Sequence, residues 1–182
     1  NGANNLTNAT IGGTAQINNT LVASATRFNS ALTVSSTAQL TGGTVVGAAL
    51  VSGALGARGT TFSSNVTGSS SATLNGGSVA GFLNVAGDVT TTNCTTIGGA
   101  ITSSYGLLTI SGGSVGGKIT GPNGVTSNNT NISGDVVASS GAISLSAGTI
   151  IGNITDGCCQ VSLTGVTLTG NVSTTSNNLV IS

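Results

Sequence analysis

Apolar and polar residues alternate along this chain in short stretches, and the stretches recur at a fixed interval. LTGGTVVG (40–47), LNGGSVAG (74–81), ISGGSVGG (110–117), LSAGTIIG (145–152) and LTGVTLTG (163–170) share one template. It reads aliphatic, hydroxyl or amide, two mostly small residues, hydroxyl, aliphatic, any residue, glycine. Aligning the weaker copies on the central aliphatic residue gives ten anchors: Ile11, Phe28, Val45, Phe62, Val79, Ile97, Val115, Ile132, Ile150 and Leu168. They stand 17 or 18 residues apart. Four residues after each anchor runs a second apolar column, from Ala15 and Leu32 to Ile154 and Val172. A third apolar patch lies seven and five residues before the anchor. There the sizes trade: Leu21 with Ala23, Ala38 with Leu40, Leu55 with Ala57, Ala72 with Leu74. Such trading keeps the volume of a close-packed interior constant. It makes a double repeat of 34 residues, which fades where Leu108 and Ile110, then Ile143 and Leu145, are both large.

A period of 17–18 is too short for helical-hairpin repeats or propeller blades, and no 3.6-residue period is present. It predicts an all-β chain: a single-stranded β-solenoid of about ten coils, residues 1–182 forming one domain. Three apolar patches per coil imply three short strands and a roughly triangular cross-section. At ~4.8 Å per coil, ten coils make a rod of about 48 Å. Its hand is left open. Two residues past the anchor stand Gly13, Gly47, Gly81, Gly99, Gly117, Gly134, Gly152 and Gly170, with Ser30 and Ser64 completing the column. This is the signature of a corner that needs a positive φ or a close backbone approach. Just before the anchor, Thr or Ser occupies positions 10, 44, 61, 78, 96, 114, 149 and 167. Alternation points that column outward. Two residues further on the types are mixed, so a single hydroxyl ladder is expected rather than a pair.

Composition narrows the function. Only Arg27, Arg58, Lys118, Asp88, Asp135 and Asp156 carry charge, 3% of the chain, against roughly 25% in ordinary globular domains. His and Glu, which carry most general acid–base chemistry, are absent, so no enzyme and no cofactor are expected. Three scattered cations cannot neutralise a phosphate backbone, which excludes nucleic acid as a partner. No apolar run approaches the ~18 residues of a membrane helix, so no membrane insertion is expected. The 37% apolar content and zero net charge also argue against disorder. Without a charged segment followed by an apolar core at its start, the chain reads as a mature secreted form.

The candidate sites are few. Cys94 lies about three coils, or ~14 Å, from Cys158 and Cys159, beyond the ~7 Å Cα separation that a disulfide tolerates. Cys94 falls three residues before its anchor, among Gly, Ala and Asn, and is expected to be a small buried thiol. Cys158 and Cys159 are left with a vicinal bridge, an interchain bond or free thiols. A zinc site, needing three or four ligands, is not expected. Lys118 and Asp135 both lie three residues past their anchors in consecutive coils and are expected to stack as a minor surface ion pair. Asp135 and Asp156 are expected to be solvated corner residues. Nine N-x-S/T sequons occur, of which Asn and hydroxyl abundance alone accounts for most.

The repeat begins within the first residues and is still in phase at its end, where Leu179 and Ile181 match the positions of Asn4 and Leu6. No cap is visible at either edge. The aliphatic-x-Gly-x-aliphatic rhythm resembles polymer-forming β-solenoids, bactofilins above all, which are triangular right-handed solenoids that polymerise end to end. Passenger domains of bacterial surface adhesins are similar too. The resemblance implies a structural subunit stacking head to tail on copies of itself into an extracellular filament or surface layer. Neighbouring filaments or surface glycans are further expected partners. A non-catalytic adhesin or ligand-binding solenoid, ice binding included, is the alternative.

Overall fold

The computed structural model describes residues 2–176 and 178–182. Among them there is no helix, and the chain winds as a parallel β-solenoid of about ten coils. A typical coil carries a four-residue strand such as Leu21–Ser24, a two-residue strand such as Arg27–Phe28 and a three-residue strand such as Leu32–Val34. In the eighth and ninth coils the first two merge, as Val125–Ile132 and Ile143–Ile151. The third strands stack into a sheet of their own, and the first two share the other sheet. Every pairing is parallel and in register: Leu55 lies over Ala38 and under Ala72, and Phe62 lies between Val45 and Val79. Anchors from Phe28 to Ile150 are buried, and the terminal anchors Ile11 and Leu168 are partly so. The second column runs buried from Ala15 to Ile154.

The corner between the first two strands is where the chain turns left-handed. Its residue, three before the anchor, has a positive φ in all ten coils: Asn8, Ala25, Gly42, Gly59, Gly76, Cys94, Gly112, Asn129, Ala147 and Gly165. The values lie between 46° and 71°, the left-handed region that Gly and Asn enter most readily. Coil six gains one residue here, and Asn93 also turns left-handed. From the second coil to the ninth the next position alternates coil by coil, with Ala9 and Val166 holding it in the first and tenth. Even coils place a buried threonine there (Thr26, Thr60, Thr95, Thr130), and odd coils a second left-handed glycine (Gly43, Gly77, Gly113, Gly148). Each threonine donates its hydroxyl to a carbonyl of its own turn, as Thr95 Oγ1 does to Thr92 O at 2.7 Å. Thr26, Thr60 and Thr130 do the same toward Ser24, Arg58 and Asn128.

The trade of sizes within the strand fades as expected, with Leu108 and Ile110, then Ile143 and Leu145, all buried, but a two-coil alternation persists through the ninth coil. Over that stretch the interior position five residues before the anchor is large in odd coils (Leu40, Leu74, Ile110, Leu145) and small in even ones, and the tenth coil breaks the rule with buried Leu163. The small residues are Ala23 and Ala57, then buried Thr91 and Ser127. A small interior residue goes with a threonine at the corner, and a large one with glycine, so the filled volume stays level.

The glycine column two residues past the anchor works by proximity. Of its eight glycines only Gly152 and Gly170 have a positive φ. A Cβ on Gly47 would stand 2.5 Å from Ala31 N, on Gly117 2.9 Å from Ala100 N and on Gly134 2.6 Å from Lys118 N. Gly81, Gly99, Gly152 and Gly170 meet the coil beneath in the same way, whereas Gly13, in the first coil, meets nothing.

The two glycine roles separate by substitution. Gly77→Ala puts a Cβ 2.8 Å from Thr60 N at φ +82° and is expected to cost about 2–4 kcal/mol. Gly59→Asn, open on all sides and in a column that already holds Asn8 and Asn129, is expected to stay within about 0.5 kcal/mol. Denaturant midpoints of the two variants check this.

Candidate functional site: coil ends, outward ladders and the cysteine corner

Three outward columns rise on the larger sheet. From the fifth coil to the tenth the first reads Thr73, Thr90, Thr109, Thr126, Ser144 and Ser162. Two residues along the same strand the second reads Asn75, Thr92, Ser111, Asn128, Ser146 and Thr164. The third, beside the anchors, reads Ser78, Thr96, Ser114, Asn131, Thr149 and Thr167. The single ladder expected from sequence is corrected to a set of three, because the pairing column lies on the preceding four-residue strand. Neighbouring side chains in the first two columns stand about 6.6 Å apart across the strand and ~4.8 Å apart along the rod. Of these eighteen side chains, only Asn75, Ser146 and Thr164 bond within the described protein. The remaining hydroxyls and amides face solvent unpartnered. In the first four coils the same face is interrupted by Val22, Arg27, Gln39, Gly56 and Arg58.

At the next corner, Lys118 and Asp135 do sit in register, since Ile119 pairs with Val136. They form no ion pair among the described residues. The Asp135 carboxylate turns to the following coil, where its Oδ1 accepts the Asn153 N–H at 2.7 Å. Asn153 Oδ1 in turn accepts Asn171 N–H at 3.0 Å, and lower down Asn65 Oδ1 accepts Phe82 N–H at 3.1 Å. A side-chain acceptor replaces the backbone carbonyl that the turning chain no longer aims at the coil above. A carboxylate doing that work has no need of the lysine.

Both cysteine sites differ from or sharpen the sequence reading. Cys94 is exposed, not buried. It is the left-handed residue of its corner, φ 58°, and the inward place next to it belongs to Thr95. Its sulfur lies over Gly112 in a shallow groove with Asn93, Ser111, Asn128 and Asn129. Cys158 and Cys159 are bonded to each other. Asp156, expected at a solvated corner, is 1% exposed. It occupies the inward column of the third strand, between Ala138 and Thr174 in register. Its Oδ2 accepts the N–H groups of Cys158, at 3.2 Å, and of Cys159, while Oδ1 has no partner among the described residues. No group of three or more metal-ligating side chains converges among the described residues. No helix of the described residues is long and apolar enough to cross a membrane.

At the two ends, Asn4–Thr7 pairs with Leu21–Ser24 and Leu179–Ile181 with Val161–Leu163, each on one side. Leu179 and Ile181 are 44% and 69% exposed, directly above the buried Val161 and Leu163. No protein-family model matches the chain, and no curated protein or solved structure is significantly similar to it.

Removing Asp135 leaves the Asn153 amide without its acceptor, so Asp135→Ala is expected to cost about 0.5–1 kcal/mol. Lys118→Ala is expected to change stability by less than about 0.5 kcal/mol. Equal losses in thermal denaturation would restore the ion pair.

Proposed function

We propose that this chain is a structural subunit that stacks head to tail on further copies of itself, forming a filament or surface layer outside the cell. The observation that carries the reading is the uniform register. Each coil offers the next the same strands in the same phase. The edge at Leu179–Ile181 in one copy therefore complements the edge at Asn4–Thr7 in another, in backbone hydrogen bonding and in the alignment of core columns. Ordinary solenoids and sheets blunt such edges with charge, proline or a covering element. Asn4–Thr7 and Leu179–Ile181 contain neither a charged residue nor proline. A heterologous contact of this kind does not close on itself and so propagates.

The resemblance to end-polymerising solenoids of the bactofilin kind supports the same assembly. Low charge and a disulfide support an oxidising, extracellular setting. Leu6→Asp and Ile181→Asp each set a carboxylate in a core column at an edge. Both are expected to abolish rods seen by electron microscopy and to leave the β-sheet circular dichroism intact. A wild-type protein that sediments as a monomer at every concentration overturns the reading.

A second reading rests on the hydroxyl face. An array without charge or aromatic rings suits neither an ionic ligand nor ring stacking on sugars. It suits a lattice of ordered water, with hydroxyls repeating along two directions and methyl groups between them. On that reading the solenoid binds ice. Thermal hysteresis that is lost in Thr109→Lys, at the middle of the face, is the expected result. Wild-type protein without hysteresis removes it.

A further inference from the structure

We propose that the Cys158–Cys159 disulfide is a redox latch that holds the last coil onto the rod and is opened by a dithiol reductant. The bond is accessible, since Cys158 is exposed and Cys159 partly so. Beneath it, Asp156 is a buried carboxylate whose hydrogen bonds come only from the Cys158 and Cys159 amides. Its second oxygen, Oδ1, has no partner among the described residues. A half-satisfied buried carboxylate is unfavourable unless its remaining donors are held in place. The disulfide supplies that restraint, because it closes a ring through the peptide bond linking the two residues and fixes both N–H groups on one side.

The last coil hangs on the same corner. Thr175 Oγ1 donates to Gly157 O at 2.6 Å, and Thr175 N–H donates to Asp156 O at 3.3 Å. Thr174 Oγ1 donates to Cys159 O at 3.3 Å, and Ser176 Oγ donates to the same carbonyl. Hydroxyl donors thus join two successive corners around the bonded pair. Toward the preceding coil, the Cys159 sulfur lies 3.6 Å from Ser140 O. That carbonyl waits as an acceptor for the thiol, and the disulfide has no proton to give it. Reduction breaks the Cys158–Cys159 S–S bond and forms one in the dithiol. Two electrons and two protons pass to the protein, leaving two thiols. The amides are then free to diverge, Asp156 loses its donors, and the acceptors at Gly157 and Cys159 move away from the last coil.

Amide hydrogen exchange on the full chain tests the latch, with Cys94→Ser as background so that the exposed thiol cannot cross-link. Reduction with dithiothreitol is expected to speed exchange in residues 168–182 about tenfold or more while residues 21–120 are unchanged. Cys158→Ser/Cys159→Ser should reproduce the fast exchange without reductant. Equal exchange in the oxidised and reduced protein overturns the latch, as does uniform loss of protection along the rod. A consequence for assembly rests on the head-to-tail reading: the loosened coil bears one of the stacking edges, so reduction should also dissolve filaments. The two fail separately. Exchange that responds to reductant in a protein that never polymerises keeps the latch and removes the filament. Filaments with redox-independent exchange do the reverse.

Discussion

In-register parallel hydrogen bonding between coils is the constraint on which everything else in this rod depends. Because each residue lies over its equivalent about 4.8 Å away, a side chain must be compatible with another of its own kind directly above and below. Aliphatic residues satisfy that condition inside, and hydroxyls and amides outside. Like charges do not: at about 4 Å two of them repel by about 1 kcal/mol even in water, and a column would repeat the penalty at every step. The six charged residues obey this rule. Arg27, Arg58, Asp88 and Asp156 stand apart in different columns, and the one pair of neighbours, Lys118 and Asp135, is of opposite sign. The scarcity of charge thus follows from the architecture before any function is considered.

The same rule explains which features were legible in the amino-acid pattern. A column that must be aliphatic in every coil is visible as such, so the anchors and the apolar column four residues on emerge from spacing alone. The left-handed corner is not visible in that way. Gly, Asn, Ala and Cys all occupy it, whereas the more uniform glycine column is uniform for a different reason, the nearness of the coil beneath. Cys94 was misplaced because a left-handed residue turns its side chain out while its neighbour turns in. Thr91 and Ser127 hid the double repeat by being polar in type but small in volume. Asp156 shows the opposite error: its type suggests solvent, but its phase on the third strand puts it inside. The paired hydroxyl columns were sought along the two-residue strand, which is too short to show alternate positions. They lie on the four-residue strand before it.

The rod is not the same along its length. In the inward column of the third strand, the early coils place Ile17, Val34, Val51, Gly68 and Val85, and the later ones Ser103, Ala138, Asp156 and Thr174. On this one column apolar side chains give way toward the end, and side-chain hydrogen bonds at the corners join the packing, while the other inward columns keep buried aliphatic residues in Ile143, Leu145, Ile150 and Ile154. The hydroxyl face becomes uninterrupted over the same stretch. This one inward column and the outer face therefore change character over the same stretch, while the remaining core columns keep their buried aliphatic residues.

In a solenoid, stability is close to a sum of coil terms and nearest-neighbour terms. A coil at an open end has one neighbour instead of two, and hydrogen bonds around the Cys158–Cys159 corner join Thr174 and Thr175 to the coil before them. On the head-to-tail proposal, such an end coil is a part readily changed by a single local bond. It is also the part that gains most from a second copy. On that proposal, stacking another chain on Leu179–Ile181 would supply a second neighbour, and the same contacts would order the end coil and lengthen the filament. Folding of the end and growth of the assembly then draw on one interface, and whatever loosens the corner at Asp156 acts on both.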